Sequence, residues 1–156
     1  MKSVANEIRE YFGPVIGASP WKAELGVGSF LTFEFGKRVL EDGHQHGEWH
    51  LWISLANWEL HHNARKLADS DAHRTVISVA VRRLKQAPLT EVLFDEGKRV
   101  TTFVFGDFRL TVAPADYLKD PDSDDDYWLF FMPEKRVMSL GPSGLSVETS
   151  DVPQHA

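Results

Sequence analysis

The chain has no cysteine among its 156 residues, which removes disulfides, thiolate metal ligands and thiol nucleophiles together and fits a reducing compartment. No stretch reaches the ~18 apolar residues of a membrane-spanning helix. The N-terminal MKSVANEIREYFG mixes charge with apolar residues where a secretory signal carries an unbroken apolar core. A cytoplasmic protein that does not enter the membrane is the expectation. Basic charge is also scarce: 17 Lys and Arg stand against 23 Asp and Glu, a net charge of −6. Phosphate backbones need a clustered basic face, so nucleic acid is not an expected partner. The established catalytic signatures are missing as well. There is no GxSxG elbow, P-loop or GxGxxG fingerprint, and Gly26-Val27-Gly28 lacks both the third glycine and a following helix.

What the chain does have is apolar and aromatic material, 42% and 12% of its residues, enough to offset chain entropy in one domain without a staple. The expected domain covers residues 1–149, with a frayed polar tail at 150–156. Residues 3–12 read as an amphipathic helix, with Ser3 as N-cap and Gly13-Pro14 as its stop. In SFLTFEFG, Phe30, Thr32 and Glu34 alternate with Leu31, Phe33 and Phe35, the period of a half-buried strand. EWHLWIS and NWELHH are strand-like and separated by few enough residues to close a hairpin. Residues 71–86 have helical periodicity, although the β-branched VISVAV within them also suits a strand. After Pro88 come TEVLFD, RVTTFVFG, FRLTVA, YWLFFM, RVMSL and LSVE, punctuated by turn residues. The expected class is α+β: an antiparallel, β-rich domain with two helices.

A weak internal repeat runs through this order. Thr32, Phe33, Phe35, Gly36 and Leu40 recur as Thr102, Phe103, Phe105, Gly106 and Leu110. In both halves a helix precedes this string and an aromatic strand follows, WHLWIS in the first and YWLFFM in the second. Half-repeats at 1–62 and 71–149 would each be a helix with a β-meander, sharing one core because either alone is small.

Candidate chemistry concentrates in HQHGEWHLWISLANWELHH, which holds five of the seven histidines. Pairing residues 48–54 with 57–62 as a hairpin would set His50 opposite His61, with β-carbons ~4.5–5.5 Å apart, close enough to share a zinc ion. His44 or His46 would be a third ligand and Glu48 a fourth ligand or a base for bound water. That spacing matches no established metal motif, and the plainer reading leaves these histidines in a loop and on strand faces. Alternation assigns Trp49, Leu51 and Ile53 to the core and puts Trp52 with His50 on the opposite, more open face. Both faces of YWLFFM are apolar, the pattern of a strand that is central or covered on both sides.

The acidic run around DPDSDDD carries much of the negative charge. It is not a calcium loop, because Asp125 stands where the tight turn needs glycine and Phe131 where a bidentate glutamate is needed. With Trp52, its Asp120, Asp122, Asp124, Asp125 and Asp126 form a candidate surface for a basic protein partner.

GSFLTFEFG followed by GEWHLWI and the Trp58-Glu59-Leu60 strand resembles a family of small uncharacterised bacterial proteins and, more loosely, bacterial immunity proteins. The resemblance implies a partner toxin to neutralise and supplies no catalytic residue. Two functional readings follow. The first is a non-enzymatic protein-binding module without cofactor, immunity-like in role. The alternative is a metal-dependent hydrolase or small-ligand-binding protein centred on His44, His46, His50 and His61, with zinc as the cofactor. Pairing of an exposed strand edge with a second copy also remains open.

Overall fold

The computed structural model describes residues 3–115 and 126–149. Helix α1 (Val4–Phe12) is followed by strands β1 (Lys22–Leu25), β2 (Leu31–Glu41), β3 (His44–Ile53), β4 (Asn57–His62) and β5 (Arg65–Asp69). Helix α2 (Arg74–Arg82) then leads into β6 (Leu89–Asp95), β7 (Val100–Phe105), β8 (Phe108–Ala113), β9 (Trp128–Met132), β10 (Arg136–Gly141) and β11 (Gly144–Thr149). The result is the expected α+β, antiparallel, β-rich architecture.

Two antiparallel sheets pack face to face around the core. One runs β1-β2-β3-β9-β10-β11 and the other β5-β4-β8-β7-β6. Alternation decides the inner faces: Leu31, Phe33, Phe35, Leu51 and Ile53 of the first meet Leu60, Phe103, Phe105 and Leu110 of the second, all fully buried. Phe33 and Phe105 stack across the layers with centroids 5.5 Å apart. Helix α1 starts where Ser3 accepts a hydrogen bond from the Asn6 amide, and it buries Ile8 and Phe12. The Phe12 ring lies 4.0 Å from that of Phe130 and meets Phe103 and Trp128 edge-on. Burying one such side chain stabilises by about 1.5–3 kcal/mol. Helix α2 takes the VISVAV segment and begins at Arg74, later than the pattern suggested, because the His73 side chain caps it by accepting from the Thr75 amide.

Numbering the strands in chain order exposes a regularity. Adding five to each label of β1-β2-β3-β9-β10 gives β6-β7-β8-(β14)-(β15), and returning the last two to the chain start as β4 and β5 reproduces the second sheet, β6-β7-β8-β4-β5. Each half therefore gives three strands to one sheet and a hairpin to the other, the second half's hairpin being extended by β11, where separate meanders were expected. Helix α1 packs on β6 and α2 on β1, so each covers a strand of the opposite half. The strand matching β9 in this plan is β4. Trp58 and Trp128 occupy corresponding strands and are both fully buried. Each indole ties one sheet to a segment of its own half that belongs with the other sheet: Trp58 Nε1 donates to the Ser29 carbonyl at 2.8 Å and Trp128 Nε1 to Thr101 Oγ1 at 3.0 Å.

The expected hairpin between the two tryptophan-rich strands does not form. β3 pairs with β2 and β9, whereas β4 pairs with β5 and β8 in the other sheet. Residues 54–56 carry the chain between layers, held by hydrogen bonds from the Ser54 and Leu55 amides to the Tyr127 and Asp126 carbonyls. His50 consequently lies opposite Glu34 and Phe131, and His61 opposite Arg109 and Lys66. Strands β1 and β5, short and of mixed polarity, had no clear pattern in the sequence. β9 is central, between β3 and β10.

Candidate functional site

The outer face of the six-stranded sheet holds the cluster. Register places Lys22, Glu34, His50 and Phe131 in one row across β1, β2, β3 and β9, and Glu24, Thr32, Trp52 and Leu129 in the next. Glu34 and His50 are each only 3% exposed, an unusual depth for an acid and an imidazole on an outer face.

A bulge gives Glu34 its partner. The β2–β3 register slips between Phe35 and Arg38, and Gly36 takes φ +77°, a left-handed geometry that glycine adopts without a Cβ clash. The slip frees the Gly47 amide, which donates to Glu34 Oε1 at 2.8 Å. Gly47 itself admits no side chain, since a Cβ there would lie 2.3 Å from the Phe35 carbonyl oxygen. Beyond the bulge the two strands continue as an arm, braced by the Lys37 amide donating to Glu48 Oε1 at 2.9 Å. On the arm, the His46 Nδ1–H donates to the Gly47 carbonyl at 2.6 Å and Nε2 lies 2.8 Å from Glu41 Oε2. Both His46 ring nitrogens are thus engaged.

His50 differs. Its Nδ1 lies 2.8 Å from Glu34 Oε2, but off the line that an N–H bond requires, and neither ring nitrogen has an in-line hydrogen-bond partner. The Phe131 ring packs edge-on against the imidazole with centroids 5.6 Å apart. A buried polar group without such a partner costs about 1–3 kcal/mol. The Glu34 carboxylate thus flanks the ring on its Nδ1 side, and Nε2 is left without a partner from the fold.

His50 lines a cleft of about 780 Å³. Leu25, Val27, Phe30 and Trp52 form its apolar side; Lys22, Glu24, Thr32, Glu34 and His50 supply polar groups; His44, Gln45 and His46 reach in from the arm. Trp52 is half-buried and held edge-to-face against Phe30 at 5.8 Å. Lys22 Nζ lies 3.8 Å from Glu24 Oε2.

No protein-family model, curated protein or solved structure matches this chain. Its site is read from its own geometry.

The fold gathers Trp52, His44, His46 and His50 into this one cleft and leaves His61 in the other sheet. The proposed four-histidine metal set is therefore not assembled. Among the described residues no group of three or more His, Cys, Asp or Glu side chains is placed to hold a metal ion. Asp126 precedes β9, half-buried, and is not part of the cleft lining. Asp120, Asp122, Asp124 and Asp125 lie outside the described residues. Glu34 is the cleft residue beside His50 that sequence reasoning did not single out. The available signal was a single acid between Phe33 and Phe35.

Proposed function

We propose that this protein is a binding domain that takes a small ligand in the outer cleft, with His50 and Trp52 as its principal contacts. The observation that carries the reading is the buried His50 imidazole, which lines the cleft with neither nitrogen satisfied by the fold. A bound ligand would offset that penalty with a hydrogen bond. The cleft volume, about 780 Å³, falls in the range of small-molecule sites, ~300–1,000 Å³, and its mix of an apolar wall with a few convergent polar groups is typical of them. This is the small-ligand arm of the alternative drawn from the histidine cluster, with Glu34 in place of His61. The other reading, a protein-binding module for a basic, toxin-like partner, rests on the resemblance to immunity proteins, the missing catalytic motifs and the net charge of −6; of its acidic loop residues Asp126 lies within the described residues. We also read the two halves as copies of one unit, supported by the shared strand order and by the recurrence of TFxFG.

The test is a fragment screen that includes acids, amines and neutral heterocycles, followed through the NMR signals of the His50 imidazole and the Trp52 indole. Fragments that bind should move both signals together, and His50→Ala should abolish the response at Trp52. A screen in which no fragment moves the pair would refute the cleft as a binding site.

A further inference from the structure

We infer that the cleft selects a ligand bearing a cationic amine on a compact aromatic or apolar body, an inference that rests on the cleft being a ligand site. Three observations converge on this chemistry. Glu34 Oε2, 2.8 Å from His50 Nδ1, puts an acceptor-only carboxylate at the polar corner of the cleft, so the ligand group that meets it has to donate. The second is charge. Among the described residues of the lining, Lys22 is the one Lys or Arg, against Glu24 and Glu34. The Lys22 ammonium is 3.8 Å from Glu24 on side chains 39% and 50% exposed, whereas Glu34 and His50 are each 4% exposed. Among the described residues of the lining, the ammonium thus pairs with the exposed Glu24, and the deeply placed Glu34 has the His50 imidazole as its ion-pair neighbour. A carboxylate or phosphate entering beside His50 would face Glu34, while an ammonium would be attracted there with little screening. Third, Trp52 and Phe30 provide an aromatic wall next to this acid, suited to the apolar body and to a cation held over an indole face.

A neutral donor satisfies the first and third observations but not the second, so charge is the property to vary. Benzylamine, benzyl alcohol and benzoate share a ring and differ in the polar group. Each is titrated into the full chain at neutral pH, with the His50 and Trp52 resonances as readout. Benzylamine is expected to bind roughly tenfold tighter than benzyl alcohol, and benzoate more weakly than either. Glu34→Gln, which keeps an acceptor for the Gly47 amide, is expected to bring the amine to within about threefold of the alcohol. Benzoate binding as tightly as benzylamine overturns the inference, as does an amine preference that survives in a folded Glu34→Gln protein. If that variant does not fold, the ranking of the three probes on the unaltered chain decides alone. Shifts with the alcohol or benzoate but not with the amine would retain the cleft as a ligand site and remove its preference for cations. Silence from all three overturns the cation preference, and the wider fragment screen decides the cleft itself.

Discussion

Across β1, β2, β3 and β9 the outer row of the six-stranded sheet reads Lys22, Glu34, His50, Phe131. The matching row of the other sheet, across β6, β7, β8 and β4, reads Glu91, Val104, Arg109, His61. The strand plan is shared, yet where one sheet buries an acid and an imidazole, the other has a valine flanked by an exposed arginine. The difference begins at the hairpin. In the five-stranded sheet, Phe105 pairs with Phe108 and the chain reverses at Gly106 and Asp107. In the six-stranded sheet, Phe35 pairs with Trp49 and the residues between them form the bulge and the arm. A pleated surface becomes a cleft when its hairpin is long enough to turn back over it, and the bulge that permits the extension also presents a backbone amide to Glu34. The lesson is that a cleft can be added to one of two like sheets by lengthening a single connection.

Substitutions at matched positions break or sharpen this comparison. The largest losses should come from the two buried indoles: Trp58→Ala and Trp128→Ala are each expected to cost about 3–5 kcal/mol in denaturant unfolding, with similar values if the halves support the core equally. Next comes Glu34→Ala, expected to cost about 3 kcal/mol because it strips the Gly47 amide of its acceptor and His50 of its neighbour. Val104→Ala, at the equivalent place, should cost about 1–2 kcal/mol through lost burial alone. If the two were equal, the buried acid would have no special part in the first sheet. The third pair probes the hairpins. Gly47→Ala should cost about 2–3 kcal/mol by forcing a Cβ into the Phe35 backbone. Gly106→Ala, whose added Cβ meets nothing closer than 3.9 Å, should cost about 1 kcal/mol for its left-handed geometry. Calorimetric melting would rank them.

The smallest effect belongs to the five-stranded sheet, where Lys66 Nζ lies 2.5 Å from Asp69 Oδ2. The Lys66 ammonium holds the Asp69 carboxyl below its ordinary value of 3.8. Because the folded state lowers this carboxyl, its contribution is present above the unfolded value and is lost as pH falls through the folded one. Asp69→Asn should therefore be slightly less stable than the unaltered chain at neutral pH, with the gap closing in acid and shrinking in high salt. A gap that persists at pH 2 would assign the effect to the hydrogen bonds that the Asp69 carboxylate accepts from backbone.

Much of the fold was legible because alternation is a local property. SFLTFEFG named the inner and outer faces of β2 correctly, and the helix signals around Ser3 found α1. Pairing is not local, and that is where the reading failed. EWHLWIS and NWELHH alternate in a way that suits either one hairpin or two separate sheets, and a three-residue connection serves as a tight loop or as a bridge between layers. What decides is the anchoring of Ser54 and Leu55 to residues 126 and 127, far along the chain. The site was legible to the same extent. His44, His46, His50 and Trp52 share a strand face, so their gathering follows from period two. The Glu34–His50 contact requires knowing that β2 lies beside β3, and the orphaned imidazole requires knowing what else is there.

The exchange of strands between halves bears on how the chain reaches this state. Neither half contains a complete sheet, so a nascent chain that has emerged only as far as β5 holds two partial sheets with open edges and half a core. Folding has to wait for the second half, as subunits of an obligate heterodimer wait for each other, with the connection before α2 acting as the tether. A break in that connection should leave two fragments that are poorly folded apart and that reassemble when mixed, which makes this chain a natural candidate for splitting and complementation.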